Sequence, residues 1–287
     1  MRHRSKWLAL ALALVLTLAL AVPALAAEVT WAQMAEGNGV LAPESAYTPE
    51  SVQAALTAYE HYKKAKKGSQ AEKDAYNNEF KPAIKGLEFK AHTFTDAPTN
   101  WYDKALNFVC SAGKMDGVAE GKFDPQGTLN RAMAVTILWR MNGEPAPKAD
   151  SGFADIHPND WYADAVAWAV ENKITDGKTD TTFDPLGNVT RQQMAAFFSR
   201  MMQALAGMSG LNLTEAQLRA ALKSIYNDVG LIDAYALEHV LICYETKVMT
   251  GSGVKLFDPL SPITRAQGAQ MLMNYYYFLL DATFQKF

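Results

Sequence analysis

Three copies of one phased pattern constrain this chain more than any other feature. Ile263 to Gln267 reads ITRAQ, Val189 to Gln193 reads VTRQQ, and Leu129 to Met133 reads LNRAM. Each copy follows a Phe-Asp-Pro triplet: Phe123-Asp124-Pro125, Phe183-Asp184-Pro185 and Phe257-Asp258-Pro259. Arg131, Arg191 and Arg265 lie 60 and then 74 residues apart, as do the three phenylalanines. Two motifs that keep one phase three times make a tandem repeat.

The copies also begin alike. Phe94-Thr95-Asp96, Phe153-Ala154-Asp155 and Tyr226-Asn227-Asp228 each read aromatic-x-Asp, and Trp101, Trp161 and Tyr235 follow. A short helix is expected next, with apolar residues at i, i+3 and i+4: Ala105, Phe108 and Val109; Ala165, Trp168 and Ala169; His239, Ile242 and Cys243. Glycine turns at Asp116-Gly117, Asp176-Gly177 and Thr250-Gly251 end these helices. A second helix starts at the arginine motif. Ala134, Ile137, Leu138 and Met141 are matched by Met194, Phe197, Phe198 and Met201 and by Gly268, Met271, Leu272 and Tyr275. That is one apolar stripe per helix. One copy cannot bury its stripe alone; three can bury theirs around a shared axis. The second spacing exceeds the first by 14 residues. Leu213 to Lys223 accounts for the excess as an extra amphipathic helix with a Thr214/Gln217 capping box.

Outside the repeats, Arg2, Arg4 and Lys6 precede an apolar run from Trp7 to Val22 and then Ala24-Leu25-Ala26. This is the pattern of a secretory signal peptide cleaved after Ala26. Its removal takes 27 basic residues to 24 against 30 acidic ones, a net charge of −6. Such a balance gives no reason to expect a nucleic-acid partner, and no later run is apolar enough to span a membrane. Residues 27–90 read as a small helical region, with helices over Pro49 to Lys67 and Gln70 to Phe80, the second stopping near Pro82. Its Lys63-Lys64-Lys66-Lys67 run is either a contact surface or a solvated helix end. The expected segments are 1–26 signal peptide, 27–90 helical region, 91–146, 147–206 and 224–287 repeats, and 207–223 insert. Cys110 and Cys243 fall in apolar helical patterns and read as buried thiols, with one disulfide as the alternative. No metal set is apparent. Asp116, Glu120 and Asp124, like Asp176, Asp180 and Asp184, lack the alternate spacing and terminal Glu of a calcium loop. No catalytic set of Ser/His/Asp or Cys/His type stands out either.

In the arginine motif, Thr190 and Thr264 are N-caps and Gln193 and Gln267 complete capping boxes. Asn130 can cap the first copy, but Met133 cannot return the bond. The cap leaves arginine unexplained, because a cation at the first helical position opposes the helix dipole. Two readings stand. Each Arg is held by a nearby Asp such as that of Phe-Asp-Pro, or it joins free backbone N–H groups in binding an anion. Trp101, Trp161 and Tyr235 are either core residues or flat faces for a sugar. Phe123, Phe183 and Phe257 read as core anchors.

These residues resemble the S-layer homology domain, a family that repeats aromatic-x-Asp, Trp, a helix, Gly, Phe-x-Pro and Ile-Thr-Arg-Ala-Glu, typically three times. The likeness spans about Ala91 to Tyr277. It implies a mainly α fold: three tandem helix-loop-helix repeats in a pseudo-threefold prism with a central helical bundle, beside the small N-terminal helical region. It also implies grooves that bind acidic, pyruvylated cell-wall polysaccharide without covalent bonds or cofactors. By motif match the groove residues are Arg131, Arg191 and Arg265, Asp96, Asp155 and Asp228, and Trp101, Trp161 and Tyr235. The family's Glu is replaced by Met133, Gln193 and Gln267, and its Trp by Tyr235 in the third copy. Arg191 with Asp155 and Trp161 is therefore the expected best site. The function expected is that of an exported, non-catalytic component of the cell wall or surface layer, its N-terminal helices contacting another surface protein or packing on the prism. The alternative is a wall-anchored accessory or enzyme of polysaccharide or peptidoglycan metabolism. Polyamine-modified peptidoglycan is a further ligand that the resemblance leaves open.

Overall fold

The computed structural model describes residues 29–36 and 40–283. The expected signal peptide lies outside the described residues. The chain divides into two units: Pro49–Leu87 with the segment before Gly39 form one, and Val40–Thr48 with Glu88–Lys286 form the other.

The first unit holds α1 (Trp31–Ala35), α2 (Pro49–Lys64), α3 (Gln70–Asp74) and α4 (Lys81–Lys85). A π-helical stretch, Ala75–Phe80, joins α3 to α4. The helix therefore continues past Pro82, where the sequence suggested a stop. Proline lacks the N–H that a helix interior needs. The wider turn moves the register just before it, with the Lys81 N–H reaching the carbonyl of Tyr76, five residues back. Tyr76 and Phe80 are buried and pack with Tyr59 and Tyr62. Lys64 pairs with Glu60, and Lys63 lies over the Tyr59 ring at 5.9 Å.

The second unit is mainly helical and holds the three repeats. Their first helices are α5 (Asp103–Ser111), α7 (Ala163–Glu171) and α10 (Leu237–Glu245). Their second helices are α6 (Arg131–Met141), α8 (Arg191–Leu205) and α11 (Arg265–Thr283). The insert forms α9 (Glu215–Ile225), which packs on α10. Its capping box is formed as expected, and Leu218 and Leu222 are buried.

The main helix pairing runs between repeats rather than within them. Helix α6 packs on α7, α8 on α10, and α11 on α5. The third repeat thus closes back on the first. A cyclic set of backbone bonds marks the closure: Leu129 N–H to Ile263 carbonyl (2.8 Å), Ile263 N–H to Val189 carbonyl (3.0 Å) and Val189 N–H to Leu129 carbonyl (3.0 Å). All three side chains are fully buried. Gly268 is required beside them, since a Cβ there would sit 2.5 Å from Leu129 Cδ1. The unit also claims a stretch ahead of the repeats. The Thr48 and Lys90 N–H groups bond the Glu88 and Ala46 carbonyls, and the Tyr47 and Tyr276 hydroxyls meet at 2.8 Å.

Candidate functional site

Each arginine motif is a seam between two repeats. Arg131 Nε donates to the Phe183 carbonyl (2.7 Å), Arg191 Nε to that of Phe257 (2.6 Å), and Arg265 Nε to that of Phe123 (2.8 Å). Each guanidinium also lies 4.6 to 5.1 Å from the ring of that same phenylalanine. The three phenylalanines have no exposed surface, as expected of core anchors. Arg191 and Arg265 add a second bond, from Nη2 to the carbonyls of Thr250 (2.8 Å) and Asp116 (2.6 Å). Every one of these partners belongs to the next repeat.

This geometry bears on both readings of the arginine. Its backbone neighbours are not free, because the first N–H groups of each second helix already have acceptors. Arg131 and Ala132 donate to Gly187 and Pro185, Arg191 and Gln192 to Ser261 and Pro259, and Arg265 and Ala266 to Gly127 and Pro125. The third N–H takes the cap: Met133 from Asn130, Gln193 from Thr190, Gln267 from Thr264. The expected anion cradle of open amides is thus filled by the neighbouring repeat. The Phe-Asp-Pro aspartate that acts on each Arg comes from the next repeat rather than from its own. The carboxylates that act on Arg131 are Asp184 and Asp155, on Arg191 Asp258 and Asp228, and on Arg265 Asp124, Asp116 and Asp96. Burial lowers each guanidinium's proton affinity, and these carboxylates oppose the shift. Arginine keeps its charge in such a setting.

The opening aspartates hold the same phenylalanines from the other side. Asp96 accepts from the amides of Phe123 and Asp124 (both 2.9 Å), Asp155 from those of Phe183 and Asp184 (2.8 and 2.7 Å), and Asp228 from those of Phe257 and Asp258 (3.0 and 2.7 Å). Those amides hold Asp96 below the usual carboxylate range. For Asp155, burial raises the proton affinity, but the two amides outweigh it. The clamp supports a strained backbone: Asp124, Asp184 and Asp258 have φ of 55°, 60° and 59°. Aspartate tolerates this left-handed region better than most residues.

The aromatics are not core. Trp101 is 59% exposed, Trp161 60% and Tyr235 48%. Trp161 and Tyr235 also reach a different seam from the one their own repeat's arginine makes. Trp161 of the second repeat opens on a groove of about 350 Å³ shared with Arg265 of the third and Asp116 and Gly117 of the first. Tyr235 of the third repeat stands by Arg131 of the first and Arg200 of the second. The Trp161 groove therefore draws on all three repeats. The expected set of Arg191, Asp155 and Trp161 is accordingly distributed over three places. Arg191 sits with Asp258 and Asp228, Asp155 with Arg131, and Trp161 with Arg265. Sequence order suggested one site per repeat because it does not show that the second helix docks on the following copy.

The Trp161 groove contains more than the motif supplied. Arg140 forms an ion pair with Asp116 at 2.9 Å, and Thr136, Met133 and Ile137 line the wall along α6. Arg140 and Arg200 hold equivalent places, and Arg200 pairs with Asp176 at 2.8 Å. A second arginine nine residues after the first was a signal open to sequence reading in two of the three copies. The thiols of Cys110 and Cys243 are free, and burial pushes Cys110 up to about 12. Among the described residues there is no group of His, Cys, Asp and Glu arranged for a metal ion. None of the described helices is long and apolar enough to cross a membrane.

Three like repeats closed in a ring, with arginine seams and half-exposed aromatics between them, define a tandem-repeat surface module. Comparison with known proteins gives that module its family. Residues 93–134, 152–195 and 225–269 each match the S-layer homology domain. The chain carries three tandem S-layer homology domains, the modules that anchor proteins to cell surfaces and walls by binding wall polysaccharide. It is 30% identical over 165 residues to the surface-layer 125 kDa protein of Lysinibacillus sphaericus, covering 56% of this chain and 13% of that one. It is 30% identical over 183 residues to an endoglucanase of Bacillus sp. (strain KSM-635), covering 63% and 18%. It is 26% identical over 182 residues to the S-layer protein sap of Bacillus anthracis, covering 63% and 21%. The chain thus spans about a fifth or less of the length of these relatives. Domain and relatives together point to the cell surface and wall as its location.

Proposed function

We propose that this chain is an exported, non-catalytic anchor that holds to acidic cell-wall polysaccharide through the grooves between its repeats. The observation that carries the reading is the Trp161 groove, where an exposed indole faces two arginines across a cleft of about 350 Å³. An aromatic face suits the apolar side of a sugar ring, and guanidinium suits a carboxylate bidentately. A ketal-linked pyruvate is one such carboxylate. The aspartates Asp96, Asp155 and Asp228 act at one remove, by fixing the Phe-Asp peptides on which the arginines rest. The relatives named as a surface-layer protein and as an endoglucanase share this region with the chain. A module common to both suits attachment rather than hydrolysis. In this reading residues 49–87 meet another surface protein.

The test is sedimentation of the chain with purified bacterial walls that carry their polysaccharide, and with the same walls after acid extraction. The chain should pellet with the first and stay in solution with the second. Trp161→Ala should weaken pelleting at least tenfold with an unchanged melting temperature. Equal pelleting with extracted walls would move the ligand to peptidoglycan.

A further inference from the structure

We infer that the Trp161 groove is the principal of the three sites, and that Thr136 and Arg140 recognise an acidic sugar unit there; this rests on the glycan reading above. Thr136 is only 4% exposed, yet its hydroxyl has no hydrogen-bond partner. A helical threonine ordinarily turns its hydroxyl to the carbonyl one turn back, and a buried polar group without a partner is destabilising. Thr136 lines the same cleft as Arg140, Trp161 and Arg265. A sugar hydroxyl or carboxylate entering the cleft supplies the missing partner. Arg140 lies one turn further along the same face and adds a second cation.

The other two seams lack this combination. At the position of Thr136 the second repeat has Ala196 and the third Gln270, and at that of Arg140 they have Arg200 and Asn274. Gln270 donates to Asn274 at 2.8 Å, and Asn274 in turn donates to the Val248 carbonyl, so both side chains are engaged within the chain. Arg131 leaves its Nη2 without a partner too. Its guanidinium, however, lies 4.7 and 5.5 Å from the Phe183 and Phe197 rings, whose faces attract the charge in place of an acceptor.

Access is also particular to this groove. Gln193 and Gln267 are tied down as cap partners of Thr190 and Thr264. Met133 holds their place in the first repeat, one turn before Thr136 on the same face, and its side chain makes no such bond. An unbranched thioether can swing aside and let a ligand reach the hydroxyl. The departure of this copy from the family pattern is thereby what opens its floor.

Thr136→Val removes the hydroxyl and keeps the shape. Its melting temperature should equal or exceed that of the parent, while its affinity for polysaccharide-bearing walls falls about tenfold. Arg140→Gln should also weaken binding, more strongly at low salt than at high salt. Gln270→Leu, at the equivalent place in the Arg191 seam, should leave binding unchanged. Parent-like binding by Thr136→Val overturns the inference, and so does a drop in its melting temperature, which would assign the hydroxyl a structural bond. Failure of the parent chain to pellet with these walls would instead overturn the glycan reading itself.

Discussion

At the scale of single residues, the arginine that the helix cap left unexplained has a structural task. Arg191 bonds two backbone carbonyls of the next repeat and covers the Phe257 ring. Arg191→Ala should lower stability by about 2–4 kcal/mol, since two carbonyls and a ring face lose their partner; urea denaturation measures it. His239 makes a second prediction. Burial, with Arg200 beside it, pushes its pKa down to about 4, and its Nδ1 lies 3.1 Å from Ser199 Oγ. A folded-state pKa below the unfolded value near 6.5 means that unfolding takes up a proton. Stability from this group is complete above about pH 6.5 and is lost as the pH falls towards 4. His239→Gln should flatten that part of the stability profile. Asp96 and Asp155, both depressed, add a further loss below the ordinary carboxylate pKa. The caps at Asn130, Thr190 and Thr264 were legible in the sequence because capping is decided within four residues. The partners of Arg131, Arg191 and Arg265 were not, because chain 52 to 149 residues away supplies them.

At the scale of elements, the periodicity of the second helices picked out residues that are buried, but burial reaches well beyond the stripe: in α6 Ala132, Val135 and Thr136 are buried too, while Met141 is only half-buried. Ala134, Ile137 and Leu138, like Met194, Phe197, Phe198 and Met201, are buried as their spacing required. Periodicity says which face is covered but not by which neighbour, and here the neighbour is the first helix of the following repeat. Gly268 shows the difference. In sequence it was one more small residue of the α11 stripe, yet the structure makes it the point where Leu129 touches the helix. Leu129 is fully buried and cannot retreat. Gly268→Val should therefore destabilise the repeats by about 1–3 kcal/mol through overpacking. Thermal unfolding followed by circular dichroism will show it. The continuation of helix past Pro82 was likewise hidden, because a π-helical turn has no sequence mark comparable to a cap.

At the scale of the whole molecule, the three seams are equivalent in kind, and the third joins the end of the repeat array to its beginning. Removing the third repeat should therefore do more than remove one site. It deprives the first repeat of α11 and the Phe123 carbonyl of Arg265, and it takes Tyr235 away from Arg131. A chain ending at residue 206 should expose apolar surface and lose wall binding outright, as dye binding and sedimentation will report. The ring has a further consequence for how the chain answers a protease. Residues 143–146, between the first and second repeats, are exposed. A cut there severs the polypeptide but touches neither the α6–α7 seam nor the α11–α5 seam. The two fragments should elute together on gel filtration, part only in denaturant, and stay on the wall as a nicked but working clasp.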